Sequence, residues 1–319
     1  RICSMVNKLT TDWKPSSSGV CYMFDQGRFM TKQKLLSSQI KSKHGINTRT
    51  PQTNRQRTGD VLEPVLITEA CNRIGFINVQ NDITEKVVHP FLPLEASLDG
   101  LAEADNLVLK NDHENGIYLP NMTQVCLNGI GVIEVKCSSD YPSDPPPLWL
   151  GVLQLQSSME IMDADWGLLI VLFQSTDLRM YIYKRNPEFA GQLKEKVEDW
   201  NRRIIEEDYF EPEISDDALL VWDKGDQEEE LILTSEVGDL VEELDNTRQL
   251  IKKLEATSDN MQALIMSHMG NHSKARVADY AVEWKSRTYK ATEEVTKTTP
   301  AKPERSVRNR SITIKRAIG

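Results

Sequence analysis

The chain has 319 residues, of which 39% are hydrophobic and 27% charged, and its net charge is −10. That is the composition of a soluble globular protein with room for one large domain and an appendage, and no apolar stretch approaches the roughly 20 residues that cross a bilayer. Five cysteines, odd in number and without a CxxC pair, argue against a disulfide framework, a zinc ribbon or a cysteine-held iron–sulfur cluster. A reducing cytoplasm is the expected setting. No secretory leader is visible, although the chain begins at Arg1 rather than Met.

The acidic total hides an uneven distribution. Residues 1–60 carry eleven Lys and Arg against three acids, and residues 271–319 carry twelve against five. Residues 191–260 hold twenty-two acids against eight bases. A phosphate-binding surface depends on local charge, so the total does not exclude a nucleic-acid partner.

In chain order, residues 1–58 are polar and basic, with a turn or helix entry at Lys14–Gly19. Apolar spacing predicts a helix from Arg57 to Arg73, with Pro64 tolerable only in its first turn. Strand-like pieces follow at 75–80, 86–100, 131–137, 166–173 and 178–185, with helices over 150–162 and 187–208. Strands alternating with helices predict an α/β core with a central mixed sheet flanked by helices. Residues 212–234 read as an acidic linker. A 4-3 register through Leu240, Leu244, Ile251, Leu254, Met261 and Ile265 predicts one long amphipathic helix within 235–270, ended by Gly270. Thr247 and Ser258 break that register, which favours packing within the protein. Residues 271–319 read as a small, basic β appendage and tail, with a strand or hairpin over 279–295 and a last edge strand in "SITIKRA". The expected division is therefore a domain over 1–211, the linker, the long helix and the appendage.

The stretch "GVIEVKC" (131–137) sets two charges into an apolar strand. Side chains alternate along a strand, so Glu134 and Lys136 project to one face and Ile133, Val135 and Cys137 to the other. An ion pair on a solvated sheet face is the plain explanation. Upstream, "EASLDG" ends with Asp99 before a glycine, which completes an Asp…Glu-x-Lys arrangement. Two carboxylates hold hard divalent cations, a bound cation lowers the pKa of its water, and a lysine orients that water or stabilises developing charge.

Further motifs stand in order around this strand: "GDVLEP" with Glu63 on a helix, "QLQSSM" with Gln154 on the next helix, and "LRMYIYKR". As an ordered set, over about Ser16 to Glu207, they resemble the YqaJ-type phage recombination exonucleases, which include lambda exonuclease, of the PD-(D/E)xK nuclease superfamily. The resemblance implies a nuclease core in which Asp99, Glu134, the carbonyl of Val135 and Glu63 hold two Mg²⁺ or Mn²⁺ ions. Lys136 is then the catalytic lysine and Gln154 the first glutamine of the family's Q-x-Q helix. Ser18 and Ser97 match serines that hold a terminal 5′-phosphate. The arginine expected near the N-terminus for that phosphate has no clear match, and Lys14 is the nearest candidate. Leu98 stands where the family usually has proline. Plainer readings exist for several of these: Glu63 as a helix-dipole acid, Gln154 as an exposed amide and Ser18 as a helix cap.

The resemblance further implies 5′-to-3′ degradation of one strand of linear duplex DNA, leaving 3′ overhangs for a single-strand annealing protein. It implies a homotrimer in the cytoplasm of a bacterial host, with no membrane association. The rival expectations are an endonuclease or a RecB- or Cas4-like nuclease of the same superfamily, and a non-catalytic DNA-binding or assembly protein.

Overall fold

The structure, a computed structural model, describes residues 11–222 and 230–284. The chain divides into two compact units, Arg1–Trp222 and Asp223–Gly319.

The first unit opens with a tight turn, Ser17–Gly19, and the short helix α1 (Val20–Met23), then α2 (Lys32–Lys43) and α3 (Asn54–Ile74). Five strands follow: β1 (Ile77–Gln80), β2 (Val87–Val88), β3 (Glu95–Ala96), β4 (Gly100–Lys110) and β5 (Ile117–Tyr118). After β6 (Gln124–Ser138) come α4 (Leu153–Met162), β7 (Trp166–Phe173), β8 (Asp177–Lys184), α5 (Pro187–Glu206) and α6 (Ser215–Val221). Six strands form one sheet in the order β1-β4-β6-β7-β8-β5. It is mixed: β6 runs parallel to β7 and β5 to β8, and the other neighbours are antiparallel.

Both faces of this sheet are covered, which is why β7 reads as an unbroken apolar run rather than an alternation. Leu168 and Ile170 pack with Ile133 against Leu66, Ile67, Ala70 and Ile74 of α3. Leu169 and Val171 face the other way, into a cluster with Leu155 and Met159 of α4 and Leu193, Val197 and Trp200 of α5. The α/β core with a central mixed sheet flanked by helices is as the alternation of elements predicts.

Several elements differ from the expectation, each for a physical reason. The helix carrying Glu63 begins at Asn54, because Thr53 and Gln56 form a capping box: Gln56 N–H donates to Thr53 Oγ1 at 3.3 Å and Thr53 N–H to Gln56 Oε1 at 2.8 Å. Pro64 consequently lies mid-helix rather than in the first turn, and it has no N–H to give the carbonyl of Asp60. Residues 86–100 form no single strand. Pro90 and Pro93 interrupt them, leaving the short antiparallel pair β2–β3. Strand β4, rich in Ala, Glu, Asp and Asn, has weak strand propensity and no sequence signal, yet it pairs with β6 along most of its length. Part of the expected acidic linker is α6, tied to the first unit by a buried Asp217 that accepts from Thr31 Oγ1 at 2.5 Å and from Glu213 N–H at 3.3 Å.

The second unit holds α7 (Ser235–Met269), followed by a hairpin of β9 (Lys274–Val277) and β10 (Tyr280–Glu283). Along α7, Leu240 is 63% accessible, Leu254 60% and Ile265 48%, and Leu254, Met261 and Ile265 line a cavity with Val282 and Trp284 of the hairpin. The expected strand segment beyond Trp284, "SITIKRA" and the basic tail lie outside the described residues. No helix among the described residues is long and apolar enough to cross a membrane.

Candidate active site

The site forms where β6 outruns its neighbour. Antiparallel pairing with β4 ends at Gly100 opposite Ile133, so residues 134–138 keep β7 on one side and lose a strand partner on the other. At that open edge the Asp99 carboxylate takes the place of a strand, its Oδ2 accepting the Val135 N–H at 2.8 Å. Gly100 permits this: a Cβ there would meet Gln80 O at 3.0 Å and Ile67 Cδ1 at 3.3 Å. The chain can enter β4 between α3 and β6 only without a side chain.

The strand alternation holds. Glu134 shares a face with Val132, which packs in the cluster of α4, and Val135 packs with Ile133 in the cluster of α3. Glu134 is 1% exposed, and its Oε1 accepts a hydrogen bond from Lys136 Nζ. The lysine stem is held where the turn Leu148–Val152 enters α4. There Gly151, at φ +92°, leaves no room for a Cβ, which would lie 3.1 Å from Lys136 Cγ and 2.8 Å from Leu169 Cδ1.

Burial, then the field of Asp99, pushes the Glu134 carboxyl up from 4.5 to about 8. Burial works to lower the Lys136 ammonium, but the neighbouring charges of Glu134, Asp99 and Glu63 outweigh it and hold it above its ordinary value. The cluster therefore carries an excess of negative charge that one lysine does not balance.

One cavity of about 510 Å³ collects the residues singled out from the sequence: Ser18, Glu63, Ser97, Asp99, Glu134, Val135, Lys136 and Gln154. They come from five separate segments of the chain. Lys14 is not among its lining residues. Its ammonium instead pairs with buried Glu95 at 3.4 Å, and Lys86 meets the same carboxylate at 2.9 Å. Glu95 also accepts from Thr11 N–H at 2.8 Å, and its own N–H donates to Pro15 O at 3.1 Å. This buried knot fastens the N-terminal segment beside β3 and so carries Ser18 toward Ser97.

Sequence reasoning missed further lining residues: Ser17, Arg55, Gln56, Gly59, Asp60 and Cys137. Arg55, rather than Lys14, is the basic side chain at this end of the cavity, and its Nη2 lies 3.4 Å from Ser139 Oγ at the end of β6. The capping box was the signal for it. A helix starting at Asn54 puts residues 55–56, 59–60 and 63 on one face at steps of four. A second cavity of about 490 Å³ shares Arg55, Gly59 and Cys137, so the guanidinium stands between the two. Arg28 was also missed. It pairs with Asp140 just beyond β6, and its guanidinium lies 4.5 Å from the Trp149 ring centroid. Trp166, read as core, is fully buried, its Nε1 donating to Asn128 O at 3.1 Å. The second glutamine of "QLQ" is structural: Gln156 donates to Lys184 O at 2.9 Å and accepts from Asn186 N–H at 3.0 Å.

Among the described residues no three His, Cys, Asp or Glu side chains converge as a preformed metal cage. The donor set nonetheless fits a hard divalent ion. Mg²⁺ commonly takes one or two carboxylates and fills its shell with water and phosphate oxygens. Asp99 and Glu134 are such a pair, and the raised Glu134 carboxyl is a group whose ionisation a cation would favour.

No family model matches the chain, and no curated protein matches it. Solved structures do. The alkaline exonuclease LHK-Exo from Laribacter hongkongensis is similar at 17% identity over 62% of this chain and 90% of that one, with a TM-score of 0.45. LHK-Exo in complex with dAMP is similar at 16% identity over the same shares, with a TM-score of 0.46. A phage-related exonuclease from Haemophilus somnus 129PT is similar at 15% identity over 61% of this chain and 96% of that one, with a TM-score of 0.41.

Proposed function

We propose that this chain is a metal-dependent deoxyribonuclease of PD-(D/E)xK type that degrades linear duplex DNA from its 5′ ends, leaving 3′ overhangs for recombination by single-strand annealing. The observation that carries the reading is the meeting of Ser18, Glu63, Ser97, Asp99, Glu134, Lys136 and Gln154 in one cavity at the open edge of β6. A structural ion pair needs only two of them.

In this reading Asp99, Glu134 and the Val135 carbonyl hold Mg²⁺ or Mn²⁺, with Glu63 in support. What a bound ion supplies here is a more acidic water and screening of the phosphate charge. Glu134 would hold the cation in its ionised form, and Lys136 Nζ keeps its proton. That ammonium then faces the phosphate and stabilises the charge that develops as water attacks phosphorus and the O3′ atom leaves. The Gln154 amide donates to a phosphate oxygen. Ser18, Ser97 and Arg55 hold the terminal 5′-phosphate, the guanidinium providing the strongest of these bonds because it is charged. Each cut leaves a fresh 5′-phosphate on the remaining strand, which the same groups can take up again.

The absence of a converged three-ligand cluster among the described residues favours a second reading, a non-catalytic DNA-binding fold in which Glu134–Lys136 is structural. One digestion separates the two. Linear duplex with a 5′-phosphate and closed circular duplex are incubated with Mg²⁺ and either the native chain or Lys136→Ala. Loss of the linear DNA from its 5′ ends, an intact circle and an inactive variant support the exonuclease. Cutting of the circle moves the reading to an endonuclease, and no cleavage at all moves it to the binding protein.

A further inference from the structure

The second cavity, of about 490 Å³, has no part in the proposed reaction, yet it adjoins the first. Arg55, Gly59 and Cys137 line both. Gly59 leaves the passage between them open. Inside a helix glycine is less stable than alanine, and a Cβ at this position would meet nothing within 4 Å, so no packing contact requires it. The two cavities differ in charge. Carboxylates of Asp60, Glu63, Asp99 and Glu134 line the first. Among the described residues the second is lined by no Asp or Glu and by one cation, Arg55.

Its walls combine two kinds of surface. Leu62, Leu172 and Cys137 supply apolar area, and Ser139, Gln174 and Ser175 supply neutral hydrogen-bonding groups. Such a lining suits a ligand with flat apolar faces and polar edges. A phosphate would call for more positive charge, and a wholly apolar ligand would leave the hydroxyls and the amide unpaired. Gln174 and Ser175 form the turn between β7 and β8, closed by Thr176 N–H donating to Phe173 O at 3.0 Å. Both have left-handed backbones, φ +49° and +68°. Turns of this kind are usually built from Asn-Gly, so the chain accepts strain to hold two longer polar side chains at the cavity. Both residues are exposed rather than packed. Cys137 directly follows Lys136 in β6, so the second cavity begins one residue of strand, about 3.3 Å, from the catalytic lysine. A ligand there stands within one nucleotide of the cut.

We propose that this cavity holds one unpaired nucleobase of the DNA strand being cut, at a nucleotide adjoining the scissile phosphate. Leu62 and Leu172 meet the faces of the base and Gln174 and Ser175 its edge, while Arg55 stays on the phosphate side. A hydroxyl and an amide each donate and accept, so all four bases are taken, as degradation along a mixed sequence requires. As a deeper reading of the same site, this rests on the nuclease function for the identity of the ligand as DNA.

The test uses the full chain with Lys136→Ala, in Mg²⁺ and at saturating protein, on 5′-phosphorylated linear duplex. The duplex carries one 2-aminopurine at the first, second or fifth nucleotide of the strand. This base fluoresces when it leaves the stack, and no aromatic side chain lines the cavity to quench it among the described residues. Fluorescence is expected to rise several-fold at the first or the second position and to stay unchanged at the fifth. Gln174→Gly/Ser175→Gly, added to the same chain, removes both side chains where glycine is unstrained. It is expected to abolish the rise and to weaken binding roughly tenfold, the size of two lost neutral hydrogen bonds, but not to weaken binding of a duplex abasic at the bright position. No rise at either position overturns the proposal. So does a rise that persists in the glycine variant, or an equal loss of affinity for the abasic duplex, since the base is then held elsewhere. Failure of the nuclease reading looks different: the native chain then cleaves no DNA in the digestion above, whatever the base signal.

Discussion

Two helices of this molecule carry similar sequence patterns and opposite surroundings. In α5, Phe189, Leu193, Val197, Trp200 and Ile204 recur at helical spacing, and all five are buried against the sheet and its neighbours. In α7, Leu240, Leu254, Met261 and Ile265 recur as regularly and are exposed. The apolar face of a helix states that it needs cover, but not which surface provides it. For α5 the cover comes with the fold, because the strand β8 delivers the chain directly to the sheet face that α5 packs on. For α7, among the described residues, the hairpin reaches only the cavity that Val282 and Trp284 line with Leu254, Met261 and Ile265, and Leu240 and Ile251 stay exposed.

The sharpest way to break this contrast is to change one residue of the site in the first unit and two of the long helix in the second. Lys136→Ala is expected to lower DNA hydrolysis by about 10²- to 10⁴-fold, the range for loss of one catalytic group. Ile251→Asp/Leu254→Asp should leave the same digestion unchanged. An activity loss in both would mean that the two units work as one.

Next in size is stability. Trp200 is buried, and its Nε1 donates to Gln39 Oε1 at 2.7 Å. Trp200→Ala should cost the first unit roughly 3–5 kcal/mol by denaturant unfolding, the usual cost of emptying an aromatic site. Leu254→Ala should leave that transition within about 0.5 kcal/mol of the native value, as exposed substitutions do. If both shift it equally, α7 packs on the first unit after all.

The pH dependence follows from Glu134. Its carboxyl is raised from 4.5 to about 8, so the folded, cation-free protein holds that proton more tightly than the unfolded chain does. Stability is therefore fully present below 4.5 and falls as pH rises toward about 8, where the ionised form is buried beside Asp99. A cation competes with that proton. The Mg²⁺ concentration giving half-maximal activity should fall with rising pH up to about 8 and level off above it, and a pH-independent requirement would sink this account.

A smaller effect is expected at Arg55. Losing a charged hydrogen bond typically costs about 1.5–3 kcal/mol, so Arg55→Ala should reduce the preference for 5′-phosphate over 5′-hydroxyl ends by roughly 10- to 100-fold. The smallest lies in the knot around Glu95. Burial opposes ionisation there, but hydrogen bonds from Thr11 and Lys86 hold the carboxyl below its ordinary 4.5. That contribution is present above 4.5 and is lost as pH falls through the lowered value, so amide exchange at Thr11 should accelerate only in acid.

Residue chemistry and spacing were enough to pick out Asp99, Glu134, Lys136, Glu63 and Gln154, because strand alternation and helix periodicity are local properties of a chain. The same locality drew β7 with its bounds and the long helix α7. It did not draw β4, whose Ala, Glu and Asn residues carry no strand signal, although β4 creates the open edge of β6 on which the site depends. Nor did it separate Lys14 from Arg55. Both are basic residues ahead of the motif, but the buried Glu95 takes one and the capped start of α3 aims the other. The sequence by itself determined which side chains share a face of one element. Only the tertiary structure decided which faces meet, because contacts between segments far apart in the chain are set by packing and by where a strand ends.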